Sequence, residues 1–198
     1  MTIGIIGSGA IGTAFARILA RAGIAAVISN SRGPDSLQEL VHDLGPSIRA
    51  GTREEAARAD IVFVAVNWTK LPAAMAGLPD WKGRIVIDAN NAIEAPLFKP
   101  VDLGGRASSE VFADLVPGAR VVKAFNHLRA ELLATDPGSD GGRRVLFYSG
   151  NDAVAKAEVA AVIERLGFAG IDLGSLATGK LAQFPGGPLP NQNLVKVG

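Results

Sequence analysis

Residues 7–12 read Gly-Ser-Gly-Ala-Ile-Gly, a G-x-G-x-x-G turn with glycines at Gly7, Gly9 and Gly12. The pattern gains weight from its position. It follows the apolar run Thr2–Ile6 and opens Ala10–Ala22, whose apolar residues recur at helical spacing. A strand, a glycine turn and a helix N-terminus together form a dinucleotide phosphate site. Gly7 permits the tight turn, Gly9 lets a pyrophosphate approach the backbone, and Gly12 lets the helix pack close to the strand. The helix start adds free N–H groups and a partial positive charge. NAD-binding forms carry an acid about 20 residues further on for the ribose 2′-hydroxyl. Here that region reads Ile28-Ser29-Asn30-Ser31-Arg32-Gly33, with no acid before Asp35. A guanidinium grips a phosphate bidentately and a hydroxyl adds a hydrogen bond. The expected nucleotide is therefore NADP(H), with Asn30, Ser31 and Arg32 at its 2′-phosphate.

Reducing a carbonyl needs a proton as well as a hydride, and the donor is often His, Lys or Tyr. The chain offers His42, His127 and its single tyrosine, Tyr148. His42 falls on a helix surface and Tyr148 inside a strand. His127, just after Lys123-Ala124-Phe125-Asn126, is the one candidate acid, against the plainer reading of a loop residue. With no cysteine there is no thiolate nucleophile, disulfide or Cys-based metal site, and two histidines argue against a His-rich one. The residues after Asp172 are too few to build a helical substrate domain. The acceptor should therefore demand little of the protein. A flat redox ring laid against the nicotinamide fits, because direct hydride transfer requires mainly proximity and orientation.

The elements that must hold these residues alternate in type. Strands are expected at Thr2–Ile6, Ala25–Ser29, Ser47–Ala50, Ile61–Val66, Arg84–Asp88, Ala119–Lys123, Val145–Ser149 and Ala169–Asp172. Helices are expected at Ala10–Ala22, Asp35–Leu44, Thr52–Ala59, Lys70–Ala76, Ser108–Leu115 (with Ser108 as cap) and Asp152–Leu166 (capped by Asn151 or Asp152). This is an α/β chain: a single Rossmann-type, doubly wound, mostly parallel sheet with helices on both faces and ligands at the strands' carboxyl ends. Residues 1–175 form the NADP-binding domain. Residues 176–198 form a short extension, rich in Pro and Gly yet keeping Leu181, Phe184, Leu189, Leu194 and Val195. It is expected to pack on the domain or on a dimer partner.

The 198 residues carry 20 Lys+Arg against 19 Asp+Glu, a net charge of +1, and 48% are hydrophobic. That balance argues against a nucleic-acid binder with a broad basic face. The longest apolar runs are far short of the ~20 residues of a bilayer span, and the N-terminus has no basic region of a signal peptide. A soluble, cytoplasmic protein with no membrane or nucleic-acid partner is expected.

Several stretches occur together in a fixed order: Gly7 to Gly12; Ser31-Arg32; Asp88-Ala89-Asn90-Asn91; Val121-Val122-Lys123-Ala124-Phe125-Asn126; Ser149-Gly150-Asn151-Asp152; and Asp172-Leu173-Gly174-Ser175-Leu176-Ala177. In this the chain resembles the NADPH-dependent deazaflavin (coenzyme F420) reductases, and is similar to the NADPH-binding domains of STEAP-type metalloreductases. The resemblance implies that Ser8, Ala10 and Ile11 lie along the pyrophosphate and that Ser31 and Arg32 bind the 2′-phosphate. It places Val66, Asn67 and Trp68 near the adenosine half, and Asn90, Ala124 and Asn126 near the nicotinamide and the acceptor. It implies hydride exchange between NADP(H) and a deazaflavin, or FMN or FAD in its place, with no side chain acting as acid or base, and it points to a homodimer. The alternatives are a ferric or quinone reductase working through a flavin, and a non-catalytic NADP-binding sensor. Ile93–Gly105, Asp136–Arg144 and the end after Gln183 depart from the family pattern.

Overall fold

The structure, a computed structural model, describes residues 1–94, 98–139 and 141–197. The N-terminal half alternates strictly. Strand β1 (Ile3–Ile6) leads through the glycine turn into helix α1 (Ala10–Arg21), then β2 (Ala26–Ser29). A 3-10 turn at Pro34–Leu37 precedes α2 (Gln38–Leu44), followed by β3 (Ile48–Ala50), α3 (Arg53–Ala56) and β4 (Ile61–Val64). A second 3-10 turn, Trp68–Lys70, enters α4 (Leu71–Met75), and β5 (Ile85–Asp88) follows. A small hairpin, β6 (Ile93–Glu94) with β7 (Lys99–Pro100), precedes α5 (Ser108–Asp114) and β8 (Arg120–Ala124). Then come α6 (Ala130–Ala134), β9 (Gly138–Ser139), the long β10 (Gly142–Gly150), α7 (Ala153–Arg165) and β11 (Ala169–Asp172). A 3-10 turn at Thr178–Ala182 and β12 (Val195–Val197) end the chain.

The main sheet runs β11-β10-β8-β5-β4-β1-β2-β3, with β9 and β12 paired along β10. All its pairs from β3 through β8 are parallel, as is β10–β11, but β10 is antiparallel to β8. The sheet is thus α/β and mostly parallel, as expected. The central strands β1, β4 and β5 are buried at every position, as a sheet covered on both faces requires. On one face Ile5, Phe63, Ile87 and Val122 meet Phe15 and Leu19 of α1 and Val159 and Ile163 of α7. On the other, Ile6, Val64 and Val86 meet Ala56, Leu71, Met75 and Phe112. Phe15 stacks on Phe63 with ring centroids 3.9 Å apart, and Phe125 packs edge-on against both. These rings fix the helix that carries the glycine turn to the centre of the sheet.

Several boundaries differ from the sequence expectation. The third helix is one turn, not Thr52–Ala59. Thr52 does make a capping box with Glu55, but the chain must turn into β4 within a few residues. Ser108 lies inside α5 rather than capping it. Ala107 holds the cap position, and its N–H donates to Glu110 Oε2 at 2.7 Å. Asp152, not Asn151, caps α7 by accepting from Ala155 N at 2.7 Å. Asn151 instead accepts from Leu176 N at 3.0 Å. Within the three stretches that depart from the family pattern, residues 95–97, residue 140 and residue 198 lie outside the described residues.

Residues 178–197 return across the carboxyl edge of the sheet. Ser108 N donates to Gln183 Oε1 at 3.0 Å, Phe184 N to Asn91 Oδ1 at 3.0 Å, and Asn191 N to His127 O at 2.7 Å. Strand β12 is antiparallel to β10, and Leu189 packs with Phe147.

Candidate functional site

The glycine turn has the shape a phosphate cradle needs. Gly7 has φ +112°, and a Cβ there would lie 2.1 Å from Ala65 O. A Cβ on Gly12 would lie 1.9 Å from Gly7 O, so α1 reaches the strand only because this position is bare. Above Gly9 the space is open, with nothing within 4 Å of where a Cβ would stand. Helix α1 starts at Gly9 without a side-chain cap and without an acid in its first turn. Its first N–H groups are left for an external acceptor, and its partial positive charge is uncancelled.

A cleft of about 800 Å³ opens here. Gly7, Ser8, Gly9, Asn30, Ser31, Arg32, Val66 and Asn67 line it, as do Arg53 and Lys70. Ala10 and Ile11 begin α1 beside it, and Gly12 lies buried beneath the turn. Asn30 organises the wall after β2. Its Nδ2 donates to Ser8 Oγ (3.2 Å) and Ser36 Oγ (3.0 Å), and its Oδ1 accepts from Arg32 N (2.9 Å). The loop carrying Ser31 and Arg32 is thereby tied to the glycine turn, while both residues stay exposed. Arg53 Nη1 donates to Ala73 O and Ala74 O at 3.0 and 2.9 Å, anchoring its guanidinium at the far wall. Three cations and no carboxylate line the cleft. That donor set fits a dinucleotide carrying an extra phosphate and disfavours a bare ribose diol. Trp68 does not line the cleft; it packs, half-buried, against the apolar cluster around Leu71 and Met75.

Asn90, Ala124 and Asn126 sit apart from the cleft, buried at the carboxyl ends of β5 and β8. Their side-chain polar atoms bond neighbouring residues, except Asn126 Oδ1, which is buried without a partner among the described residues. Asn90 Nδ2 donates to Asp88 Oδ1 at 2.7 Å, and Val66 N donates to Asn90 Oδ1 at 2.7 Å. That last bond joins this edge to the cleft. Asn126 Nδ2 donates to Asn91 Oδ1 (3.1 Å) and Ala182 O (2.7 Å), and Asn91 Nδ2 donates to Asn126 O (2.8 Å). Phe125, between Ala124 and Asn126, has φ +64°, a left-handed conformation in a bulky, fully buried residue. The surrounding aromatic packing holds it there.

Beneath these loops lies a charged pair. Lys123 Nζ donates to Asp88 Oδ2 at 3.1 Å, with the side chains 3% and 0% exposed. Burial pulls the Lys123 ammonium down from its ordinary range, and Asp88 opposes that pull. His127 is 1% exposed, packs edge-on against Phe147, and has neither ring nitrogen hydrogen-bonded. Burial pushes it down to about 4, so it is neutral at ordinary pH. Tyr148 lies half-buried at the β10–β11 boundary, and His42 on the exposed side of α2. Among the described residues no group of His, Asp and Glu is placed to hold a metal ion. Among the described residues no helix is long and apolar enough to cross a membrane.

Sequence reading gave no role to Arg53, Lys70, Asn91, Asp88 or Lys123. A usable signal existed for the last two: a charge directly after an apolar run, Ile85-Val86-Ile87 before Asp88 and Val121-Val122 before Lys123. Arg53 follows a Thr cap at the carboxyl edge of the sheet, where a cation would face a ligand.

Residues 2–92 match the family described as NADP oxidoreductase, coenzyme F420-dependent. Over 180 residues the chain is 32% identical to the metalloreductase STEAP3 of Rattus norvegicus, covering 90% of this chain and 35% of the relative. The chain thus spans about a third of the length of the curated relatives it matches. A hypothetical protein, SMa0349, of Sinorhizobium meliloti superposes with a TM-score of 0.93 at 50% identity, over 99% of this chain and 96% of that one. A protein of Arthrobacter sp. FB24, described as an F420-dependent NADP-reductase, superposes with a TM-score of 0.80 at 28% identity, over 99% and 100% of the two chains. With the phosphate cradle in place, residues 2–92 are similar to the coenzyme F420-dependent NADP oxidoreductase family, and the likeness to the Arthrobacter protein runs the length of the chain.

Proposed function

We propose that the protein moves a hydride between NADPH and a planar deazaflavin or flavin-type ring. Gly7, Ser8, Gly9 and the start of α1 hold the pyrophosphate, and Ser31 and Arg32 hold the 2′-phosphate. The ring acceptor lies over the edge formed by Asn90, Ala124 and Asn126. The bound nucleotide supplies the hydride. One observation carries the acceptor class. At the redox edge both amide nitrogens, Asn90 Nδ2 and Asn126 Nδ2, are committed to internal hydrogen bonds, Asn126 Oδ1 can only accept, and His127 is enclosed and neutral, which favours a site that offers shape rather than an acid. A ring acceptor needs only that, and takes its proton from solvent. The exposed apolar residues Leu181, Leu194 and Val197 favour a homodimer built on this extension, in the cytoplasm.

Rapid mixing of NADPH with oxidised coenzyme F420, and separately with FMN and FAD, tests the reading. Fast bleaching of the deazaflavin band is expected. Turnover with a flavin alone would shift the assignment to a ferric or quinone reductase working through flavin, which the likeness to STEAP3 favours. Tight NADPH binding with no oxidation by any ring would mean a sensor.

A further inference from the structure

The buried Asp88–Lys123 pair makes more contacts than packing the sheet requires. Two charges out of water are costly, and an apolar pair of similar volume stabilises a core as well or better. What the pair does hold is one residue. Asp88 Oδ1 accepts from Asn90 N (3.0 Å) and from Asn90 Nδ2 (2.7 Å), while Lys123 Nζ donates to Asn90 O. The amide oxygen that remains, Asn90 Oδ1, accepts from Val66 N, and Val66 is a wall of the nucleotide cleft. The pair is braced from α5, where Ser109 Oγ donates to Asp88 Oδ2 at 2.6 Å and Lys123 Nζ lies 3.3 Å from Ser108 Oγ. The turn at Gly179 seals it. A Cβ there would stand 2.4 Å from Ser149 Oγ and 3.9 Å from Lys123 Cβ. A continuous path of hydrogen bonds therefore runs from α5 through β8 and β5 to the cleft wall after β4.

We propose that Asp88 and Lys123 are positioning residues for the nicotinamide. They fix Asn90 and, through it, Val66, so that the ring is held at a set height over the ends of β5 and β8. This rests on the NADPH reading above. The pair touches neither nucleotide nor acceptor. Its effect appears in the placement of the ring, to which hydride transfer is steeply sensitive, and not in the grip on the phosphates.

The test is the double variant Asp88→Leu/Lys123→Met, which removes both charges together and avoids stranding one. Affinity for 2′,5′-ADP should stay within threefold of the parent. The enhanced, blue-shifted emission of bound NADPH should fall toward that of the free nucleotide, and the single-turnover hydride rate should drop at least tenfold. A folded double variant that keeps both the emission and the rate overturns the proposal. Should the double variant not fold, Ser109→Ala serves instead. Loss of that one bond should lower the hydride rate two- to fivefold with unchanged 2′,5′-ADP affinity, and an unchanged rate overturns the proposal. A parent protein that binds NADPH no better than NADH, with no change in emission, overturns the nucleotide reading itself before any variant is made.

Discussion

The phosphate cleft and the redox edge are neighbours joined by one hydrogen bond, yet they treat charge in opposite ways. In the cleft, Arg32 and Lys70 are exposed, the helix start is uncapped, and no carboxylate lines the walls, though Arg53 pairs with Glu54 at 3.4 Å. At the redox edge the charges are buried and matched, Asp88 with Lys123, and the amides of Asn91 and Asn126 bond each other. The first region keeps its hydrogen-bonding capacity for a ligand. The second uses that capacity on itself and presents a fixed, nearly neutral surface. On the proposed reading, recognition and reaction thus rest on different physics, electrostatic attraction in one place and rigid placement in the other.

Perturbations should separate the two regions, beginning with the largest effect. Lys123→Met alone leaves Asp88 buried without its counter-charge and should lower unfolding stability by about 3–5 kcal/mol in urea titrations. Acid comes next. His127 is held neutral in the folded state, down to about 4, whereas the unfolded chain protonates it near 6.5. As pH falls from 6.5 to 4 the unfolded state binds a proton that the folded state refuses, so stability is lost, by about 3 kcal/mol. The His127→Phe variant should lack that part of the acid slope. His127→Ala should still transfer hydride within about tenfold of the parent, since general acid–base help is worth 10²–10⁴; a larger loss in stopped flow would restore a proton-donor role.

In the cleft the effects should fall on affinity. Arg32→Ala should weaken NADPH binding by about 1–3 kcal/mol, the scale of a lost charge-assisted hydrogen bond, and leave NADH nearly untouched by calorimetry. Equal losses for both nucleotides would remove the 2′-phosphate role. Lys70→Gln should have the smallest effect, a severalfold loss for NADPH that vanishes at high salt, because an exposed cation is screened. If Lys70→Gln slowed hydride transfer at saturating NADPH, the division of labour between the two regions would break down.

Much of the cleft was legible from the sequence, because its signals are local. A glycine turn after an apolar strand, and Arg32 in place of an acid, can be read within 30 residues. The redox edge was legible only in outline. The partners Asp88 and Lys123 lie 35 positions apart, and Phe184 N reaches Asn91 across 93. No periodicity encodes such pairings. The reversal of β10 was hidden for a similar reason. A parallel crossover needs a helix long enough to run back along the sheet. Helix α6 has five residues, about 7.5 Å of rise, so the chain re-enters β10 in the opposite sense. The family resemblance placed Trp68 near the adenosine half, while the structure leaves it off the cleft lining. Its apolar bulk gains more by covering Leu71 and Met75.

The segregation in space is also a segregation along the chain. Every residue lining the cleft lies before position 75, on the half-sheet β3-β2-β1-β4, whereas the redox edge draws on residues 88 through 191. A polypeptide is made from its N-terminus, and folding begins on what has emerged. The phosphate cradle can therefore take shape while the acceptor wall is still unmade. On the proposed reading, nucleotide arriving at that stage would be gripped by its phosphates with its reactive ring still open to water. The segment from Gln183 to Asn191 crosses that edge later in the chain, so on the proposed reading the parts that bind are made before the parts that react.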